Sequence, residues 1–344
     1  LRTEVGSILA DDVRMAKFWR KAGGKVSCGL CPHACAIAPE KKGICGVREN
    51  RNGALMTLIY GKVSSLHVDP IEKKPLFHFM PGEIALSLGS IGCNFRCLHC
   101  QNYSISQAKV DMYKMNNLSP EQVSDICERD KCRIISWTYN EPTIWHEFTY
   151  DSSVAAKRRG LATTYVTNGY INEEPLREIA PYLDAMNIDV KAFREDFYRK
   201  ICKASLDPVL RTVELAHSLG IHVELTYLII PEKNDSEEEI RDFARWVSSI
   251  SVEMPVHFTR FHPDYMMTDI GPTPISTLDM AVRTAKEEGL AFVYLGNVSS
   301  DDRENTYCPD CGTLVIHRAG FRTKMIDFKD GKCGKCGRPL NMVL

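Results

Sequence analysis

Cys93, Cys97 and Cys100 fall in the run Gly92-Cys93-Asn94-Phe95-Arg96-Cys97-Leu98-His99-Cys100-Gln101-Asn102, directly after the apolar segment 84–88. Three thiolates at this spacing can hold three irons of a cubane cluster and leave the fourth iron without a protein ligand. Electron carriers normally supply four cysteines per cluster. An open iron can bind a substrate or cofactor directly, as a catalytic zinc does through its free position.

Two further cysteine groups flank this loop. Cys308 with Cys311, and Cys333 with Cys336, are C-x2-C knuckles, a strong four-thiolate signal for zinc or for iron in a rubredoxin-like site. Gly312 and Gly337 follow the knuckles, where a permissive backbone lets amides turn toward sulfur. The segments 313–317 and 324–328 between them predict a small ribbon. Cys28, Cys31, Cys35 and Cys45 form a less conventional set, suited to structural zinc or to a second cluster, with His33 as an alternative ligand. Asn50-Arg51-Asn52-Gly53 predicts a hairpin turn leading into 54–60. With 11 of 14 cysteines grouped in this way, metal sites in a reducing compartment fit better than a disulfide framework. Cys127, Cys132 and Cys202 stand apart and read as small buried hydrophobes.

The elements that must position these groups follow from alternation. Strands are expected at 84–88, 133–139, 162–167, 185–190, 222–230, 256–261 and 291–295, with helices between them. Ser119-Pro120-Glu121, Pro175, Pro208 and Asp235-Ser236 mark helix starts, and Gly160, Gly220 and Gly289 fall where helices end. This spacing predicts an α/β fold, a partial TIM-like (β/α) barrel of parallel strands with crossover helices. After successive strands come the cysteine loop, Asn140-Glu141-Pro142, Asn168-Gly169, Lys191, Pro231-Glu232, His262-Pro263-Asp264 and Gly296-Asn297. In a β/α barrel these C-terminal ends share the face on which active sites are built.

At 344 residues the chain suits one barrel-sized domain with appendages. We expect a Cys-rich N-terminal metal-binding region at 1–80, the barrel at 81–298, and a zinc-ribbon or rubredoxin-like domain at 299–344. Composition is ordinary, with 44% hydrophobic and 25% charged residues, and a net charge of -1 gives no global field for nucleic acid or membrane. No apolar stretch reaches the roughly 18 residues of a membrane helix. The N-terminus lacks the charged-then-apolar form of a signal peptide, so a cytoplasmic protein is expected.

The C-x3-C-x2-C loop after the first barrel strand resembles the signature of radical S-adenosylmethionine (SAM) enzymes. Tyr139-Asn140-Glu141-Pro142 stands where these enzymes often carry Gly-Gly-Glu, and Asp189-Val190-Lys191 resembles the Asp-x-Lys pattern of glycyl-radical-enzyme activases such as pyruvate formate-lyase activating enzyme. More closely, the chain resembles the radical enzyme of the AmmeMemoRadiSam system. The matching stretches are Cys28-Gly29-Leu30-Cys31-Pro32-His33, Gly43-Ile44-Cys45-Gly46-Val47-Arg48-Glu49-Asn50, Asp69-Pro70-Ile71-Glu72-Lys73-Lys74-Pro75-Leu76-Phe77-His78-Phe79 and Arg260-Phe261-His262-Pro263-Asp264-Tyr265.

The resemblance implies a 4Fe-4S cluster on Cys93, Cys97 and Cys100. It implies SAM bound through its amino and carboxylate groups, and a 5'-deoxyadenosyl radical that abstracts hydrogen from an unidentified substrate, with proteins and peptides as candidates. A low-potential electron donor is the other implied partner. Glu141 is expected at the cofactor amino group, with Asn140 offering donor and acceptor. Lys191 would contact the carboxylate, oriented by Asp189. Asn168 would touch ribose, and His262 cofactor or substrate. For Glu141, Asn140, Lys191 and Asn168 the alternative is loop capping or salt bridging, and for His262 it is capping of the last turn. Two departures stand out: Tyr-Asn-Glu replaces Gly-Gly-Glu, and His99 replaces the aromatic residue usual before the third cysteine, either covering adenine or packing beside the cluster. Two other readings of the chain compete: a multi-centre iron-sulfur electron carrier, and a zinc-bearing interaction module.

Overall fold

The computed structural model describes residues 13–298 and 302–344. The first residues of the expected N- and C-terminal regions, 1–12 and 299–301, lie outside the described residues. Eight strands form the central sheet: β1 (Ser65–Pro70), β2 (Ile84–Gly89), β3 (Ile134–Trp137), β4 (Ala162–Thr167), β5 (Ala185–Asp189), β6 (His222–Ile229), β7 (Val256–Arg260) and β8 (Val293–Gly296). They lie in the order β8-β7-β6-β5-β4-β3-β2-β1. β2 through β8 are parallel, and β1 pairs antiparallel with β2. The seven expected strands are all present. β1 lies inside the region assigned from sequence to the N-terminal appendage, yet its hydrogen bonds make it part of the sheet.

The connecting helices start where their caps dictate. Ser119 accepts from the Gln122 amide while the Gln122 side chain accepts from the Ser119 amide, a closed capping box before Pro120–Arg129. Ser236 caps Glu237–Ile250 through the Glu239 amide. Pro208 sits in the first turn of Asp207–Ser218, whereas Pro175 sits two residues inside Glu173–Ile179, behind Asn172. Gly160, Gly220 and Gly289 take φ of +71°, +79° and +93° just past three helix ends, a region closed to most side chains.

The sheet curls around residues 71–80. Lys74 reaches Asp69 on β1 with its ammonium, 2.7 Å away, while Phe77 packs its ring against His257 on β7. In a flat sheet those strands would stand about 29 Å apart, more than three residues of chain and two side chains can span. The same segment ties to β5 and β6: Asn187 donates to the Pro75 carbonyl, and Glu224 accepts from the Phe77 and His78 amides. Ile71, Leu76, Phe79 and Met80 pack on Ala85, Ile134 and Ala185 and close the end where the strands begin. Above this plug the inner face turns polar, with Ser87, Ser136 and Thr164 in register on β2, β3 and β4, followed by Asn187 and Thr226. Among the described residues the plug covers the end where the strands begin and leaves the C-terminal ends of the strands on the other side.

Small antiparallel elements flank the sheet. Trp19–Ala22, Lys25–Cys28 and Ala36–Ile37 form one, and the hairpin Arg48–Arg51 to Ala54–Thr57 another, turning at Asn52 (φ +52°) and Gly53 (φ +78°) as expected. Near the C-terminus Leu314–Ala319 pairs with Arg322–Met325, the expected ribbon. Arg318, fully buried, joins it to the sheet by donating to the Phe77 carbonyl and to Thr306. Among the described residues no helix is long and apolar enough to cross a membrane.

Candidate active site and metal centres

The cysteine loop leaves β2 at the open end and is held from several sides. Asn140 accepts from the Ser90 amide and donates to the Gly92 carbonyl, so both polar ends of its side chain brace the entry to the loop. Arg96 donates to the Cys93 and Phe95 carbonyls, and the Phe95 amide points at the Cys93 sulfur, 3.3 Å away. From the far side of the sheet the loop after β7 closes over it. The Met266 amide donates to Leu98, Gln101 meets His262 at 3.1 Å, and Tyr265 stacks on Tyr103.

The strand ends bring the expected cofactor residues to the same rim, with partners that sequence did not reveal. Glu141 is buried and accepts from the Thr143 amide, the Thr167 hydroxyl and the Asn168 amide. A carboxylate offers about four acceptor sites, so one remains. Asn168 donates to Asn94 at 2.8 Å and faces the Cys93 sulfur at 3.7 Å, a contact to the cysteine loop. Lys191 pairs with Asp189 at 2.8 Å. Burial opposes its charge, but the Asp189 carboxylate and the Cys97 sulfur outweigh burial and raise its pKa. His99 is buried near Phe197, and burial together with Lys191 drives it down to about 3. His262 is exposed.

Tyr139 explains how Tyr-Asn-Glu can replace Gly-Gly-Glu. Its φ of +71° is the left-handed conformation that glycine adopts freely, and its hydroxyl donates to Asp69. The side chain is tolerated because it is anchored at its far end. Cys202 is buried, as its isolated position in the sequence led us to expect. Its thiol lies against Cys97 and is the largest influence raising that sulfur's pKa. The π-helical turn Tyr198–Cys202 puts it there, and no sequence spacing signals such a turn.

The three loop sulfurs suit a cluster. Burial and the Glu141 carboxylate push the Cys93 thiol well up, so a lasting thiolate there needs the positive charge that iron supplies. His99 Nδ1 and the hydroxyls of Ser87, Ser90, Ser136 and Thr164 are buried without a protein partner, leaving polar atoms for a ligand on the inner face.

The outer groups differ sharply. Cys308 and Cys336 stand 3.5 Å apart, Cys311 and Cys333 3.7 Å, and all four ligand atoms lie within 4.8 Å of one another. Tetrahedral zinc with Zn–S near 2.3 Å places sulfurs about 3.8 Å apart. Gly312 and Gly337 take φ of +69° and +77° behind the knuckles, and Thr313 holds the Cys311 thiol down to about 6. Among the described residues neither the central three nor the N-terminal four converge to that degree. Cys28, Cys31, Cys35 and Cys45, expected to hold zinc or a second cluster, line one cavity with His33, whose Nε2 meets the Asn94 carbonyl at 2.8 Å.

Comparison with known proteins agrees with this geometry. Residues 88–244 match the Radical SAM superfamily. An uncharacterized protein of Methanocaldococcus jannaschii is 49% identical over 96% of this chain and all of its own length. The pyruvate formate-lyase-activating enzyme of Clostridium pasteurianum is 27% identical over 52% of this chain and 80% of that protein. Streptococcus suis SuiB bound to its precursor peptide SuiA shares the fold, with TM-score 0.50 and 14% identity over 65% of this chain and 50% of that chain. The chain is a radical enzyme using SAM and a 4Fe-4S cluster. It belongs to the Radical SAM superfamily and is homologous to pyruvate formate-lyase activating enzymes. Of the three readings open from sequence, electron carrier and inert zinc module give way to enzyme.

Proposed function

We propose that this chain is the radical enzyme of an AmmeMemoRadiSam-type system, abstracting hydrogen from a protein or peptide substrate in the manner of a glycyl-radical activase. The observation that carries it is the convergence of the cysteine loop, Glu141, Asn168, Lys191 and His262 on the one open end of a plugged, curled sheet, which we read as a partial TIM-like barrel. When bound, the cluster and SAM supply reductive carbon-sulfur cleavage and a 5'-deoxyadenosyl radical.

The protein's part is placement. Cys93, Cys97 and Cys100 hold the cluster. The remaining acceptor site of Glu141 would accept a charge-assisted hydrogen bond from the ammonium of SAM. Lys191, kept charged by Asp189, would hold the cofactor carboxylate. Asn140 and Asn168 position the loop and Cys93 rather than the nucleoside. His99 packs beside the cluster, with Nδ1 available to a ligand. The loop carrying His262 and Tyr265 shields the rim, which limits quenching of the radical by water. The C-terminal cysteines hold structural zinc or rubredoxin-like iron, and a cytoplasmic low-potential donor supplies electrons.

Anaerobic reconstitution followed by reduction with SAM tests the reading. We expect 5'-deoxyadenosine from the native chain and none from Cys97→Ala, while intact SAM under strong reduction of the native chain would overturn it. Lys191→Ala should raise the KM for SAM about tenfold or more, as loss of a charge-assisted contact requires.

A further inference from the structure

Cys28, Cys31, Cys35 and Cys45 line one partly closed cavity together with His33, Arg48 and Asn94. Counted with its mouth the cavity measures about 340 Å³. Its inner space, about 20 Å³, exceeds the roughly 10–15 Å³ that one water needs. The four thiols share the wall of this one cavity. They nonetheless stand wider than the zinc-sized group at the other end of the chain. A cluster gives each thiolate its own iron and so needs this wider frame.

The frame is furnished with donors. The His33 amide faces the Cys31 sulfur and the Val47 amide the Cys45 sulfur, the latter turned there by Gly46 at φ +79°. Arg48 is fully buried and points Nη1 toward Cys28 Sγ, 3.9 Å away, while Nη2 pairs with Glu147. Hydrogen bonds and positive charge at sulfur stabilise the reduced state of a cluster.

The cavity also shares a wall with the active-site loop. Asn94, next to Cys93, lines it, and its carbonyl accepts from His33. A Cβ on Gly92 would lie 2.8 Å from the Cys45 carbonyl. Arg96 donates to the Ile44 carbonyl.

We propose that Cys28, Cys31, Cys35 and Cys45 bind a second, fully protein-ligated iron-sulfur cluster that passes electrons across Asn94 to the cluster on Cys93, Cys97 and Cys100. One electron enters from a low-potential one-electron donor and one leaves to the neighbouring cluster, with no bond made or broken in the cage. The relay rests on the active-site reading above; the binding of the second cluster does not.

The full chain carrying Cys93→Ala, Cys97→Ala and Cys100→Ala, reconstituted anaerobically with iron and sulfide, separates the two. We expect about four irons and about four sulfides per chain to remain, with visible absorption bleached by dithionite. Adding Cys31→Ser and Cys35→Ser should abolish the sulfide and about four of the irons while the C-terminal metal stays bound, which reports that the chain still folds. Zinc at the N-terminal cysteines, no sulfide before the serine changes, or sulfide that survives them would overturn the proposal. Arg48→Lys keeps charge opposite Glu147 but removes Nη1 from Cys28, and should lower the potential of the remaining cluster; an unchanged potential would count against the cage as its site. For the relay, electron paramagnetic resonance of the doubly reduced native chain should show spin coupling absent from either single-cluster variant. Spectra that simply add would overturn the relay and leave the second cluster standing.

Discussion

The two outer cysteine groups have the same number of thiolates and opposite geometry. In the C-terminal ribbon each C-x2-C knuckle turns at a glycine with nothing near it, and two knuckles 22 residues apart bring four sulfurs to single-ion spacing. In the N-terminal cage Cys45 is ten residues from Cys35 and is held by packing on Gly92 of the active-site loop. A ligand set closed by local turns is a staple. One whose walls belong to the catalytic loop is coupled to it.

The widest separation between the two should come from deleting ligands. Cys311→Ser should release the C-terminal metal and unfold the ribbon, leaving cleavage of SAM within about twofold, since structural zinc sites contribute folding energy locally. Metal analysis with a 5'-deoxyadenosine assay checks it, and loss of cleavage would erase the distinction. The next effect concerns one arginine in each region. Arg48→Met leaves Glu147 buried without its cation and should destabilise the chain by about 3–5 kcal/mol, whereas Arg338→Ala, partly exposed between Asp310 and Glu253, should cost about 0–1 kcal/mol. Denaturant unfolding of both variants decides, and equal losses would contradict the burial argument.

Glycines give a finer comparison. Gly92→Ala must take φ +85° with its Cβ 2.8 Å from the Cys45 carbonyl and Val47, and we expect a loss of about 1–3 kcal/mol. Gly312→Ala, at φ +69° in open space, should lose about 1 kcal/mol from backbone strain alone. Thermal melts of the pair would show whether the cage is braced by the loop.

A further effect is that of pH on the docking of the ribbon. His78 bonds Tyr294 and the Asn341 carbonyl, and burial drives it from 6.5 down to about 3. The folded state therefore favours the neutral ring: its stability is whole above pH 6.5 and is lost as pH falls toward 3. Between pH 6.5 and 5 the loss should be about 2 kcal/mol. Unfolding at pH 7.5 and 5 should lose that dependence in His78→Gln; a persistent slope would assign it elsewhere.

Strands were legible because each carries a short β-rich run ended by polar residues. β1 was not, since Ser65–Pro70 leaves His67 and Val68 exposed and ends in proline, a pattern that reads as loop until its partner is known. The cysteine loop was legible from spacing alone. The work of Asn140 and Asn168 was not, because their donors and acceptors meet Ser90, Gly92 and Asn94, 48 to 74 residues away in the chain. The contact of Cys202 with Cys97 was hidden for the same reason.

By itself, then, the sequence determined where the strands end and that three cysteines in one loop and four at each end of the chain stand at short spacings. These follow from short spacings and local backbone preference. Only the tertiary structure decided that one four-thiolate set closes on itself while the other stays open against the catalytic loop. The distance between sulfurs distant in sequence depends on packing among segments, and the chain encodes that packing only through the whole fold.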